Sequence, residues 1–468
     1  MRTNVYMHNY RGFSDAWIPL RKVNFLVGEN STGKSSFLDL VNVFYEFQFW
    51  MLIPAFRVSN GAQKHFLDLV SAASSDKESF TIGAVDIGDR TGDAVDGLLV
   101  TYVNRDGRPV PSRVSVLDGD KLRTLVGGLS SDSKNEKIES RVVEHRWEDG
   151  ITASIFLSRC AERHHDQTDF TEFTLAEDRR RMPFFMKFGD FFQEGENIGN
   201  SVSVPSIFAK NFVELAPIRS KPRRTYDAPQ TEFSPEGDHI PYTLKKNLSH
   251  SNAKHKAEFK EFLKQVGESS GLFDNVTVNE FGTGQLAPFE VKVNFGDVAL
   301  GLPSVGYGVS QALPVLVEAF VRPHEFAFAI QQPEVHLHPR AQAAFGDVVA
   351  NLAKDEDKIF FVETHSDFTI DRFRINLRNR FEAIANSPQD TAVNLPADGG
   401  TADSLGEKLS LSSSNEDMDD GFAQIVFFER VQNGNHAVAI PILKDGRVSD
   451  DQPESYRDFF LHESLSLL

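Results

Sequence analysis

Between Val23 and Phe37 the chain reads VNFLVGENSTGKSSF. Gly28-x-x-x-x-Gly33-Lys34-Ser35 is a spacing that cradles phosphates. Glycines let the backbone curl so that its N–H groups face the anion, a lysine reaches the β- and γ-phosphates, and a serine hydroxyl sits on Mg²⁺. Gly28, Asn30, Ser31, Gly33, Lys34, Ser35 and Ser36 are the candidate nucleotide contacts here, and Ser35 is also a candidate metal ligand. Such a loop works only with a strand before it and a helix after it. Val23–Val27 is apolar enough for the strand, and FLDLVNVFYEF suits a helix packed on a sheet. A chance glycine-rich turn would lack this frame.

Three later segments carry residues that complete such chemistry. Gly306-Tyr307-Gly308-Val309-Ser310-Gln311 precedes the apolar run ALPVLVEAF. Glycines and a serine at a helix start make either a second anion-binding N-terminus or an ordinary helix cap. FAFAI (Phe326–Ile330) is a buried strand running into QQPEVHLHP (Gln331–Pro339), and KIFFVETHSD is another, ending in Thr364-His365-Ser366-Asp367. An imidazole at that strand end suits contact with a γ-phosphate or orientation of the attacking water. Gln331, Gln332, Glu334 and His365 are therefore the candidates for chemistry. His336 and His338 lie two positions apart with no carboxylate cluster beside them, which argues against a metal pair.

Around these residues stands a chain of 468 residues, long enough for two to three domains or one large nucleotide-binding domain with insertions. Its net charge of −18 argues against broad attraction to nucleic acid or anionic lipid, although a local basic groove stays open. The single cysteine, Cys160, excludes an internal disulfide and a multi-cysteine zinc site, and suits a reducing compartment. Neither a membrane-spanning apolar run nor a signal-peptide pattern is present, so a cytoplasmic protein without membrane contact is expected.

The expected fold class is α/β, with a mixed central sheet, an antiparallel β meander and a helical or mixed insertion. Residues 1–75 and 301–468 form the core in this reading. Thr3–His8 and Val23–Val27 are two strands around a turn, and residues 425–445 close the chain as a hairpin joined by QNGN. From 76 to 160, short β-branched runs between Gly, Pro and Asp turns predict the meander. Residues 161–300 are the mixed insertion, helical over 242–272 and strand-like over 276–300. The Glu177–Met182 cluster, EDRRRM, is a solvated helix face or a phosphate contact, and Glu214–Pro229 an ordered loop over some site. Residues 386–421, Ser- and Asp-rich, are expected to be a flexible segment.

NYRGF, VGENSTGKSS, LAPIRSKPRR, VGYGVSQALPVL, QQPEVHLHPRAQ, VETHSDFTIDRFR and IPILKDGRV together resemble bacterial ABC-type ATPases of the OLD-like group, labelled AAA-15 or AAA-21. The resemblance implies an SMC/Rad50-like, ABC-type P-loop ATPase head, without coiled coil, that dimerises head-to-tail around ATP and Mg²⁺. It implies that Lys34 and Ser35 bind phosphates and metal, that Gly308, Ser310 and Gln311 supply a signature meeting the partner's γ-phosphate, and that His365 is the switch histidine. Arg11 becomes an adenine-side or phosphate contact, and Gln63 a weak counterpart of the Mg²⁺-linked glutamine. One position departs. The family pattern Glu-Gln-Pro-Glu is here Gln331-Gln332-Pro333-Glu334, so an acid that helps hold Mg²⁺ is replaced by a neutral amide of the same shape. Glu334 supplies the carboxylate, or hydrolysis is poor, or Gln331 is a deliberate exchange that traps ATP. The intact state of the other motifs favours the last.

Long coiled-coil arms and a Cys-x-x-Cys hook are absent, and the roughly one hundred residues after His365 are too few for a Toprim domain plus the closing strands. The resemblance therefore implies an ATPase subunit of anti-phage systems of the PARIS, Septu or retron type. It would be a sensor and scaffold that forms a dimer or larger ring and restrains a separate Toprim or HNH nuclease until a phage-encoded trigger protein appears. The alternative is a RecF-like repair ATPase gripping DNA through Arg179–Arg181 and Arg219–Arg224.

Overall fold

The structure, a computed structural model, describes residues 2–53, 56, 64–88, 95–127, 129, 137–147, 151–175, 188–189, 191–192, 204–227, 230–283, 287–385, 421–432 and 434–465. Gln63, the EDRRRM cluster and residues 386–420 lie outside these.

The chain opens with β1 (Arg2–Tyr10), β2 (Phe13–Pro19) and β3 (Val23–Gly28), followed by α1 (Lys34–Tyr45). The N-terminal stretch thus holds three strands where two were expected. Arg11-Gly12 is the tight turn of a β1–β2 hairpin, in which Tyr10 faces Phe13. Next come β4 (Ser79–Ile87), β5 (Val95–Arg105), β6 (Arg108–Asp118), β7 (Lys121–Val126) and β8 (Glu139–Glu144), each antiparallel to the one before. This is the expected meander, with its hairpin at Asp106-Gly107. Its expected end at 160 is corrected, because the consecutive strands stop at Glu144 and α2 (Ala153–His165) runs across that boundary. Phe156, Leu157, Cys160 and Ala161 recur at helical spacing and pack on Val85, Leu99, Leu117 and Leu122 of the meander. Thr152 caps the helix by accepting from Ile155 N–H. Cys160 is a free, fully buried thiol.

A two-residue strand β9 (Thr171–Glu172) and then β10 (Asn211–Leu215) follow. The helical reading of 242–272 resolves into α3 (Ile240–Leu248) and α4 (Ala253–Ser270), with Asn252 capping the second. A small antiparallel sheet follows, of β11 (Asn275–Glu280), β12 (Phe289–Phe295) and β13 (Val298–Gly301). Then come α5 (Tyr307–Val321), β14 (Phe326–Gln331), α6 (Pro339–Asp355), β15 (Ile359–Glu363) and α7 (Asp367–Ala385). The hairpin of β16 (Ala423–Val431) and β17 (Gly434–Ile442) is as expected. It does not end the chain, since α8 (Glu454–Leu465) lies beyond it.

Among the described residues one fourteen-stranded sheet runs in the order β10-β14-β15-β3-β16-β17-β2-β1-β4-β5-β6-β7-β8-β9. Its first five strands are parallel, and the stretch from β1 through β9 is antiparallel. The meander is therefore a continuation of the central sheet. Side chains of β3 alternate between two cores. Leu26 joins the α1 side (Phe37, Leu40, Val41, Phe44), whereas Val23, Phe25 and Val27 join the side of α4 to α7 (Phe259, Leu316, Val349, Phe373). Helices thus cover both faces of the parallel part, and the C-terminal ends of β3, β14 and β15 open at one edge. Crevices at such an edge are where α/β sheets bind ligands.

Candidate nucleotide site

The loop between β3 and α1 takes its shape from two glycines. Gly28 has φ 146° and stands against Phe428 of β16, whose carbonyl a Cβ would strike. Gly33 has φ 106°, caps α1, and is pressed against Phe13 and Asn435. No side chain caps α1, so its first N–H groups remain for an anion. Asn30 and Ser31 are exposed at the tip, with Ser31 left-handed at φ 64°. Lys34 is buried, and its ammonium donates to the carbonyls of Gly28 and Glu29 at 2.7 Å each. The third ammonium N–H is left for a phosphate oxygen. Burial draws its pKa down, against the pull of Glu363 and Glu29.

Ser35 donates its hydroxyl to Oε2 of Glu363, 3.3 Å away at the end of β15. Sequence reasoning passed over Glu363. Burial raises its pKa, opposed by the Lys34 ammonium and the Ser35 hydroxyl. Among the described residues no three His, Cys, Asp or Glu side chains cluster to hold a metal. A phosphate-bound Mg²⁺ needs less from the protein: one or two oxygen ligands, with phosphates and water completing the octahedron. A serine hydroxyl beside a carboxylate fits that need. Such an ion neutralises charge developing on the phosphates.

Gln331 ends β14, and its amide donates to Oε1 of Glu214 on β10 at 2.9 Å. Burial, and then Asp39, raise the Glu214 pKa, while the Gln331 amide lowers it. Gln332 is left-handed at φ 43°, with its N–H held by the carbonyl of Glu363 at 2.8 Å. His336 is left-handed too, at φ 66°, so the loop after β14 stores backbone strain at two non-glycine positions. Glu334 accepts the backbone N–H of His365 at 2.6 Å. Its place is therefore behind the histidine, and no hydrogen bond joins it to Ser35. Burial raises its pKa, while the His365 N–H, then its own backbone N–H and then Thr364 lower it. The exposed His365 ring is held below the usual imidazole value, first by desolvation and then by Lys34. Ser366 caps α7, accepting from Thr369 N–H, and donates to Gln342.

Arg219 corrects the sequence reading most. Part of the DNA footprint in the alternative reading, it is 2% exposed and points inward. It donates to the carbonyl of Gln331 at 3.1 Å, and burial pulls its pKa down to about 10 against the attraction of Glu334. Lys221, Arg223 and Arg224 after it are exposed. Gln311 is buried as well, accepting the backbone N–H of Arg219 at 3.2 Å, so it anchors this loop from inside. Ser310 is buried and donates to the Tyr307 carbonyl. Gly308 abuts His336, where a Cβ would meet its carbonyl at 2.7 Å, and Tyr307 packs edge-on to the His336 ring. Gly306 and Tyr307 face solvent at the start of α5. Arg11 pairs with Asp39 of α1 at 2.5 Å and lies 3.4 Å from Ser36. It thus stands beside the phosphate loop without entering it.

The structure therefore brings Lys34, Ser35, Glu334, His365, Gln331 and Gln332 to one sheet edge. Among the described residues no hydrogen bond joins Gly306–Gln311 to the phosphate loop.

No curated protein matches the chain. Among solved structures it is similar to an SMC head bound to the C-winged helix domain of ScpA, at 10% identity and TM-score 0.41, covering 94% of this chain and 98% of that one. It is also similar to the SMC head domain from Thermotoga maritima, at 11% identity and TM-score 0.37, covering 94% and 100%. A third is an Smc head with an extended coiled coil bound to the C-terminal domain of ScpA derived from Pyrococcus furiosus, at 8% identity and TM-score 0.36, covering 99% of each. The family model described as AAA ATPase domain, AAA_15, matches residues 1–87 and 218–370, just over half of the chain. The chain belongs to the AAA_15 family of AAA ATPase domains.

Proposed function

We propose that this ATPase assembles head-to-tail through ATP held between two copies, as a dimer or larger ring, and that the assembly restrains a separate Toprim or HNH nuclease in anti-phage defence until a phage-encoded trigger protein releases it. The observation that carries the assembly is the division of the site. Lys34, Ser35, Glu363 and His365 gather at one sheet edge, while the glycine-rich start of α5 presents Gly306 and Tyr307 to solvent with no hydrogen bond to that edge. A heterologous contact between two copies would supply the missing half. Bound Mg²⁺ would neutralise phosphate charge, Lys34 would orient the γ-phosphate, and His365 would position the water. The net charge of −18 supports a basic effector as the partner, since complementary potentials favour encounter.

The test mixes two inactive variants. Lys34→Ala removes the phosphate ligand, and Tyr307→Glu places a carboxylate at the exposed helix start. Each alone should lose turnover. Random pairing should restore about a quarter of the wild-type sites, because half the pairs are mixed and each holds one intact composite site. No recovery, with no ATP-dependent mass increase by light scattering, would refute assembly. The effector arm is co-expression with a Toprim or HNH nuclease encoded beside this chain. Wild type should suppress its toxicity and Lys34→Ala should not. Lys221, Arg223 and Arg224 favour a second reading, direct DNA binding, which predicts duplex affinity falling steeply with salt.

A further inference from the structure

Where an acid is expected at the end of β14 the chain has Gln331, and one strand over, at the end of β15, it has Glu363. The two face each other in the parallel ladder, and the next partner of Glu363 is Leu26 of β3. The strand that delivers the phosphate loop therefore neighbours the one carrying Glu363. Side-chain directions agree with this. Glu363 reaches Ser35 at 3.3 Å, whereas the Gln331 amide turns the other way, to Glu214.

We propose that Glu363 is the metal-side carboxylate of this site, acting with Ser35 on Mg²⁺ directly or through a water, and that Gln331 is neutral because the acid has moved to the adjacent strand. The proposal rests on the ATPase reading of the site. The two side-chain oxygens stand 3.3 Å apart beside the phosphate loop, so one hard cation held by a nucleotide there would find both. The neutral amide has its own physical reason. A glutamate in place of Gln331 would give three adjacent strands, β10, β14 and β15, a carboxylate each at one edge. As an amide it instead donates a hydrogen bond that Glu214 needs. Gln331 is then a compensated residue of a working site, which removes the need for a trapped state.

The experiment titrates methylanthraniloyl-ATP in EDTA and in Mg²⁺, and follows Mn²⁺ by electron paramagnetic resonance with ATP present. Wild type, Glu363→Gln, Glu363→Asp and Gln331→Ala are compared, each checked for an unchanged melting temperature. In Glu363→Gln the affinity in EDTA should stay within about twofold, while the gain given by the metal falls at least tenfold. Glu363→Asp should recover part of that gain, and Gln331→Ala should keep most of it. A full metal effect in Glu363→Gln, or its loss only in Gln331→Ala, would overturn the assignment. If Glu363→Gln does not fold, Glu363→Asp decides through the Mn²⁺ signal, which must show more of the sharp component of Mn²⁺ free of protein than wild type does. A wild-type chain that binds no nucleotide would refute the ATPase reading together with this one. A metal effect at Glu363 without assembly would refute only the assembly.

Discussion

Replacing Gln331 with glutamate puts a carboxylate where an amide now donates to Glu214 at 2.9 Å. Both side chains are half-buried, so an effective dielectric of 20–40 applies, and two charges about 4 Å apart repel by about 2–4 kcal/mol. The lost charge-assisted hydrogen bond adds about 1.5 kcal/mol. With ~2.1 cal/mol/K of unfolding entropy per residue, cooperative unfolding of 468 residues makes 1 kcal/mol worth about 1 °C, so Gln331→Glu should melt about 3–5 °C lower at pH 8. The sign with pH follows from linkage. Burial already raises the Glu214 pKa, and a second carboxylate raises the pair further above the unfolded value. The penalty is thus absent below the unfolded pKa of about 4.3 and grows as pH rises through the folded one. At pH 5 the pair shares a proton, the introduced carboxyl becomes a donor as the amide was, and the deficit shrinks to about 1 °C. Calorimetry of both proteins from pH 5 to 8, with single-turnover ATP hydrolysis alongside, checks this. Equal stability at pH 8 with faster turnover in the glutamate form would refute the reasoning and restore position 331 as the place of the acid.

Other outcomes follow from the same geometry. Arg219→Met should cost up to about 3 kcal/mol because it removes a buried cation whose charge attracts half-buried Glu334, and adding Glu334→Gln should recover part of that; a double-mutant cycle by denaturant unfolding measures the coupling. Gly28→Ala should fail to give soluble folded protein, since its Cβ would enter the Phe428 carbonyl at a φ of 146°; expression and circular dichroism decide. His365, with its pKa lowered, should stay neutral to a lower pH than a free imidazole, so the acid limb of kcat should begin below pH 6.5 and vanish in His365→Asn.

Residues near one another in sequence are the legible ones. The phosphate loop, its strand and its helix can be read from the single run Val23–Phe37, because glycine spacing and apolar runs are local signals. The strand-end order β14 then β15 is legible for the same reason. Glu363 sits inside the conspicuous run VETHSD and still escapes notice, since its meaning depends on which strand lies beside β3, and pairing leaves no local mark. The burial of Arg219 and Gln311 escapes sequence reasoning because arginine and glutamine usually face water. Only the packed loop against α5 shows that these two are inside. The helix α2 was within reach of the sequence, for Phe156, Leu157, Cys160, Ala161 and His164 carry a helical period in plain view.

The great sheet has one weak stitch. β16 and β17 pair along their whole length, and β1 pairs with β4 over Arg2–His8, but β17 meets β2 at the single pair Asn435–Phe13. Those same two residues press on Gly33, the last loop position before Lys34. The parallel half and the meander half thus share this one ladder pair, while a single core, with Phe80 and Leu98 on one side and Phe361 and Phe428 on the other, spans the seam. The seam runs beside Gly33, where a residue from each half lies against the loop. A substitution at Phe13 or Asn435 would therefore be felt at the position that sets Lys34.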